Sequence, residues 1–311
     1  MQTVLITGGT GLVGKALSTH LAASGFKVII LSRKLPTNFN QQNNISFSQW
    51  DVDNKKINNT VIQQADYIIH LAGAPVMDKK WTPSYKKEIV NSRTKSSALL
   101  IETLQQVPNR VKAIISASAI GWYGLDVNDD SNNTGFVETD PAAQGFLGET
   151  SKLWEDSIEP ANALGIRVVK YRMGIVLSNN GGALTEFKNP IRFGIAGILG
   201  SGKQIISWIH IEDLCRLFAT ALTNEQFNGA YNAVAPETIS NKKLVLALAN
   251  KIKGKFFIPL HVPAFLLKLI LGQRSIEVLK STTVSCQKVK QTGFTFLYPS
   301  IEAAFTQLFK K

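Results

Sequence analysis

The sequence predicts an α/β fold: a doubly wound parallel sheet followed by a smaller mixed α/β unit. Three observations carry this. Short apolar runs alternate with helical patterns through the first half, and a glycine-rich turn joins the first run to the first helix. The apolar runs are nearly continuous, as strands buried on both faces require. With 311 residues, 44% of them hydrophobic, the chain can fill one large core or two modest ones.

The elements follow in order. A short strand is expected at 4–7, then a helix over 12–24, where apolar residues recur at helical spacing until Gly25 stops them. Residues 27–31 are again β-branched and apolar, completing a βαβ unit. The asparagine-rich stretch 37–59 reads as a surface loop, as does 126–139 (DVNDDSNNTGFVET). Buried-type strands are expected at 65–71 (ADYIIHL) and 111–116 (VKAIIS), separated by a helix over 84–106 with Pro108 beyond its end. A helix over 148–164 then leads to a strand at 166–171 (IRVVKY). After Val176 the pattern shifts to glycine-rich loops at Gly181–Gly182 and 194–202, a helix over 212–223 and a final mixed region. This divides the chain into a nucleotide-binding unit, 1–176 with 205–232 returning to it, and a small substrate unit formed by 177–204 and 233–311. Ligands of open α/β sheets sit at the carboxyl ends of the strands, where such a unit closes over them.

Composition narrows the partners. The net charge is +12, but the basic residues are scattered, as in Lys79-Lys80, Lys86-Lys87, Lys242-Lys243 and Lys310-Lys311. Without a long basic run or interleaved aromatics they read as a solvated surface, not a nucleic-acid interface. Cys215 and Cys286 lie far apart without metal-ligand spacing and read as buried small hydrophobes of a reducing compartment. The first apolar run belongs to a strand–turn–helix unit, not a secretion leader, so a cytoplasmic protein is expected. The run AFLLKLIL at 264–271 carries Lys268, is bracketed by Pro263 and Gly272, and is too short to span a bilayer. It reads as a helix with a buried face. The expected partner is a small molecule, with no metal, membrane or nucleic acid, for a monomer or homodimer.

The turn TGGTGLVG, 7–14, is the strongest local signal. Gly8, Gly11 and Gly14 stand where a Rossmann-type fold needs a tight turn, a bared backbone beside a diphosphate, and close packing of helix on strand. Thr10, Leu12 and Val13 complete the turn, and the N–H groups at the helix start suit a diphosphate. The second strand runs into Ser32-Arg33-Lys34, and no acidic residue occurs from 28 to 49. A carboxylate there would bind a ribose 2′-hydroxyl, whereas guanidinium and hydroxyl suit a 2′-phosphate. NADP(H) is therefore expected over NAD(H).

With this turn stand HLAGAP (70–75), SASAIGWYG (116–124), GFLGETSKLWE (145–155), YRMGIVLS (171–178), GSGKQIISWIHIEDL (200–214), GAYNAVAPE (229–237) and GFTFLYPSIEAAF (293–305). Together they resemble the extended short-chain dehydrogenase/reductases over essentially the whole chain. The narrower resemblance is to the atypical epimerase-like subfamily of sugar-nucleotide epimerase-like proteins of unassigned substrate. It implies an NADP(H)-dependent oxidoreductase or epimerase acting on a carbonyl or secondary alcohol. It also implies that His70, Ala72 and Gly73 line the adenine and ribose side, with Arg172 and Gly174 near the nicotinamide.

The superfamily's usual catalytic set is a Ser or Thr, a Tyr, and a Lys four residues after the Tyr. Lys152 matches the lysine, but Gly148 stands in the tyrosine's place. Ser118 matches the hydroxyl position, with Ser116 as runner-up. Tyr123 is the substitute acid or, equally, a packing residue. Lys152 would hold the nicotinamide ribose, or else is a plain surface lysine. Glu149 reads as compensation of a helix dipole, Asp213 as a helix cap, and His210 as structural. Gly182, Lys188, Arg192 and Gln204 could meet an anionic substrate. The missing tyrosine keeps a second function open: a catalytically weak NADPH-binding sensor or regulatory protein.

Overall fold

The computed structural model describes residues 1–36, 44–126 and 135–310. The parts of the two polar stretches at 37–43 and 127–134 lie outside the described residues. The first half holds β1 (Thr3–Thr7), α1 (Leu12–Ala23), β2 (Lys27–Ser32), β3 (Ile45–Asp51), β4 (Lys56–Ile57), α2 (Asn59–Gln64), β5 (Tyr67–His70), α3 (Pro83–Gln106) and β6 (Ala113–Ala119). Then come α4 (Phe146–Ile158), β7 (Arg167–Met173), β8 (Ile175–Leu177), α5 (Ala183–Arg192), β9 (Ile195–Leu199), β10 (Ile205–Ile206) and β11 (Trp208–His210). The chain closes with α6 (Ile211–Thr223), β12 (Gly229–Ala233), β13 (Ile239–Ser240), α7 (Asn241–Lys253), β14 (Ile258–Val262), α8 (Ala264–Leu271), α9 (Ser275–Leu279), α10 (Gln287–Gln291) and α11 (Ile301–Leu308).

Among the described residues, eight strands form the main sheet in the order β12-β7-β6-β5-β1-β2-β3-β4, and only the β3–β4 pair is antiparallel. The chain winds outward from β1 through β2 and β3, then back through β5, β6 and β7. The order therefore reverses between β1 and β5, and the crevice at their carboxyl ends is where such sheets hold ligands. Alternation along the strands fills both faces. Val4, Ile6, Ile69 and Ile115 pack with Leu17 and Leu21 of α1 and Leu217 and Phe218 of α6. Leu5, Ile68 and Ile114 pack with Ile62, Leu100, Leu104 and Ile158 on the opposite face.

A third core joins Leu177, Leu184, Ile198, Trp208, Leu244, Leu248 and Phe305 beyond the main sheet. Small parallel pairs, β8 with β11 and β9 with β14, frame it. Among the described residues no helix is long and apolar enough to cross a membrane.

Several elements differ from the sequence expectation. The supposed loop 37–59 contains β3, paired in parallel with β2 from Val28↔Ile45 to Ser32↔Gln49, and then β4. Only Ile45 and Trp50 of β3 are buried, so this strand near the sheet edge needs no apolar run and leaves no strong signature. The helix expected over 148–164 begins earlier, at Phe146, and ends at Ile158, continuing as a 3₁₀ segment over Glu159–Leu164 that has Pro160 in its first turn. The helix at 264–271 buries only Leu267, leaving Phe265 73% and Leu269 78% exposed. Both cysteines are free and buried.

Candidate functional site

The glycine turn is built as its three positions require. Gly8 has φ +68°, and a Cβ there would lie 2.7 Å from the Leu71 carbonyl carbon, so glycine lets the ends of β1 and β5 meet. At Gly14 a Cβ would come within 2.3 Å of Gly8 O, which seals α1 onto the turn. Gly11 differs: its Cβ would meet only Gly8 O, at 3.4 Å, and the residue is exposed. Gly11 is also the N-cap of α1 and supplies no side-chain cap, so the first-turn N–H groups of Leu12 and Val13 keep their capacity for an acceptor. A phosphate fits this cradle, and a side chain at Gly11 or Gly14 would spoil it.

Beside the turn, Ser32 Oγ donates to Lys34 O at 2.7 Å and Gln49 Nε2 donates to Arg33 O at 3.1 Å. These bonds stiffen the end of β2 and leave the Arg33 and Lys34 side chains exposed. Thr10 is exposed at the same rim. Ala72 and exposed Gly73 follow β5 there, but His70 does not line the crevice. Its ring is fully buried, with Nδ1 2.8 Å from Thr7 Oγ1 and Nε2 3.1 Å from Ser97 Oγ. Burial pushes its pKa down to about 4, so the imidazole is neutral. Thr7 Oγ1 in turn accepts from the N–H groups of Leu71 and Ala72, at 3.1 and 3.2 Å. His70 thus fixes the strand ends from below.

Of the three residues expected to do chemistry, Ser118 and Tyr123 lie in one buried network and Lys152 does not. Ser118 Oγ donates to Glu155 Oε1 at 2.7 Å. Arg172 holds the same carboxylate with both arms of its fork, Nε to Oε1 at 2.8 Å and Nη2 to Oε2 at 3.0 Å. Its Nη1 reaches Tyr123 Oη at 2.9 Å, and Tyr123 donates to Asn232 Oδ1 at 2.7 Å. Trp122 covers the guanidinium at 3.6 Å, and Phe136 stacks on Tyr123. Tyr123 is 1% exposed, and burial pushes its pKa up to about 12. A phenol so enclosed is a poor proton donor to a bound substrate. Neither its hydroxyl nor that of Ser118 is presented to the crevice, because each is spent on a neighbouring carboxylate or amide.

Position 148 explains the missing tyrosine. A Cβ on Gly148 would stand 2.0 Å from Ala143 O, so the backbone before α4 occupies the space that a side chain would need. Lys152, one turn on, lies on the exposed side of α4 with Nζ 2.5 Å from Asp156 Oδ2. Glu149 accepts from Gly145 N at 3.1 Å and so closes the helix start.

Other candidates serve packing. Gly174 is required because a Cβ would meet Ser207 O at 2.7 Å, where the chain passes from β7 to β8. Ser116 is buried and donates to Ala117 O. His210, not Asp213, caps α6, accepting from Glu212 N. Asp213 instead accepts from Leu297 N and Tyr298 N, tying the C-terminal segment to α6. Gln204 donates to Leu199 O and Val278 O, Lys188 to Asn179 Oδ1, and Gly182 packs on Leu12. Arg192 is exposed in the last turn of α5. A cleft of ≈ 560 Å³ is lined by Leu125, Gln204, Lys268, Ser275, Ile276 and Leu279.

Among the buried charges that the sequence reading did not single out are Glu155 and Arg93. Each breaks an apolar helix face: Glu155 falls with Ser151 and Ile158 on α4, Arg93 with Ile89 and Leu100 on α3. A charge at such a position was the available signal.

The model of the NAD dependent epimerase/dehydratase family matches residues 4–234, and a domain of unknown function, DUF1731, matches 262–308. The epimerase family protein SSP1921 of Staphylococcus saprophyticus is 36% identical over 99% of both chains. Among solved structures, the human epimerase family protein SDR39U1 with NADPH is 27% identical with a TM-score of 0.87 over 100% of both chains. The nucleoside-diphosphate sugar epimerase of Corynebacterium glutamicum is 30% identical with a TM-score of 0.77, over 99% of this chain and 58% of that one.

Proposed function

The chain belongs to the NAD-dependent epimerase/dehydratase family, and we propose that it uses NADP(H) in preference to NAD(H) on a carbonyl or secondary alcohol of a nucleoside-diphosphate sugar. The observation that carries the cofactor choice is the exposed Arg33 and Lys34 at the end of β2, beside the open cradle of Gly11. The similarity to a human protein solved with NADPH supports it. The substrate class rests on the similarity to the C. glutamicum sugar-nucleotide epimerase.

The residues divide the work as follows. The first-turn N–H groups of α1 receive the diphosphate, and Arg33 with Lys34 receives the 2′-phosphate. Lys152 leaves exposed Asp156 to hydrogen-bond the nicotinamide ribose, an exchange that costs little because the ion pair is solvated. Ala72 and Gly73 border the cofactor, while His70, Ser118, Tyr123, Arg172 and Gly174 fix the backbone around it. When bound, the nicotinamide supplies or accepts the hydride. With Tyr123 and Ser118 enclosed, the proton passes through water in the crevice. The cleft lined by Leu125, Gln204, Lys268 and Ser275 carries the substrate.

Titration with both cofactors tests this reading. NADPH is expected to bind at least roughly tenfold more tightly than NADH, the size of one charge-assisted contact. Equal affinities would remove Arg33 from its role. A second reading, an NADPH-binding protein of weak catalytic power that reports cofactor state to a partner, is favoured by the blocked position 148. Steady NADPH-linked turnover in a screen of nucleoside-diphosphate sugars rules it out, whereas NADPH binding without turnover selects it.

A further inference from the structure

Among the described residues, Arg93 is a buried cation without a counter-ion. It lies on the inner side of α3, 8% exposed, with its guanidinium 4.7 Å from the Trp154 ring centroid of α4. Nη1 donates to Ala74 O at 3.1 Å and Ile89 O at 2.9 Å. Among the described residues no carboxylate pairs with it, and its Nε and Nη2 have no hydrogen-bond partner. Those two atoms form the parallel fork with which Arg172 grips Glu155. In Arg93 the same fork is free. Trp154 Nε1, on the other side of the stack, is also buried without an acceptor.

A largely desolvated guanidinium lacking a countercharge costs stability. Burial pulls its pKa down only to about 10, so the group stays charged at neutral pH. Its position is specific. A Cβ on exposed Gly73 would lie 3.0 Å from Arg93 Cζ, so the guanidinium sits directly beneath the turn that follows β5. That turn meets the glycine turn of β1 through Leu71 and Gly8. On that side, glycine at 73 leaves no side chain between the guanidinium and the crevice, while Trp154 covers the guanidinium elsewhere.

We infer that Arg93 is an anion-binding residue at the point where the strand order reverses, its free Nε–Nη2 fork receiving an oxyanion of a ligand held over β1 and β5. The oxyanion is a phosphate oxygen of the dinucleotide or an anionic group of the substrate. The inference rests on the proposed site only for the ligand's location, and its readouts need no turnover.

The test compares wild type, Arg93→Met and Arg93→Lys by calorimetric NADPH binding and by melting temperature. If the dinucleotide is the source, NADPH affinity falls roughly tenfold or more in Arg93→Met, and Arg93→Lys recovers part of it. The ligand-free melting temperature of Arg93→Met stays level or rises, since an unpaired buried charge is gone. If the substrate is the source, NADPH affinity holds, but inorganic pyrophosphate, with and without NADPH, raises the melting temperature of wild type and not of Arg93→Met. NADPH affinity and pyrophosphate response that are both indifferent to either substitution overturn the inference. A wild type that binds no NADPH but shows an Arg93-dependent pyrophosphate shift defeats the cofactor reading and leaves this one standing.

Discussion

Arg33 and Gly148 show how differently two residues of a proposed site can be read. Arg33 is exposed, and the role proposed for it is chemical and local: a guanidinium follows the second strand where a carboxylate would select the other cofactor. Arg33→Ala is expected to weaken NADPH binding about 10- to 100-fold, the worth of one charged hydrogen-bonding contact, while changing NADH little. Parallel losses for both cofactors would count against it. Gly148 is the reverse case. Its sequence position announces a missing tyrosine, but the reason is the Ala143 carbonyl 2.0 Å from where a Cβ would stand. Gly148→Ala is expected to cost about 1–3 kcal/mol in urea denaturation. Gly148→Tyr, which by sequence alone restores the acid, is expected to fail to fold; a folded, more active variant would disprove this account of position 148. Tyr123 was legible as a residue of the right loop, yet its direction was not, because a partner at Asn232 lies 109 positions away.

At the scale of elements, the tie between β6, α4 and β7 is what the carboxylate of Glu155 makes. It accepts from Ser118 on β6 and from Arg172 on β7, all within the interior. Removing one partner strands a buried charge, so Glu155→Gln is expected to destabilise the fold by about 3–5 kcal/mol. The exposed Lys152–Asp156 pair on the same helix is the control, and Asp156→Asn is expected to cost less than about 1 kcal/mol. Similar losses from the two substitutions would deny the network its role. Elements buried on both faces were readable because continuous apolar runs leave few alternatives. The weakly buried β3 was not, and α8 kept its apolar composition while leaving most of that surface exposed. Periodicity reports what a segment could bury, and its neighbours determine how much it does.

For the whole molecule, the buried histidine beneath the strand ends couples stability to pH. In the unfolded chain His70 titrates near 6.5, and in the folded chain near 4. Above 6.5 the ring is neutral in both states and its contribution is fully present; as the pH falls toward 4 the unfolded state alone takes up the proton. Over that window about 3 kcal/mol is lost. Melting temperatures measured from pH 7.5 to 4 should therefore fall more steeply for wild type than for His70→Gln. His20 and His210, also lowered by burial, add a shared slope to both. Equal slopes would remove His70 from the effect. The sequence by itself determined the α/β class, the order of the main strands and helices, the glycine turn and the basic end of β2, because all of these are local: period, turn chemistry and adjacency along the chain. Only the tertiary structure decided that Ser118 and Tyr123 face an interior carboxylate and amide, that backbone fills the space at Gly148, and that Arg93 keeps a free fork beneath Gly73. Those outcomes depend on which distant segments meet at the carboxyl ends of the strands, and no local pattern encodes the direction of a side chain across such a junction.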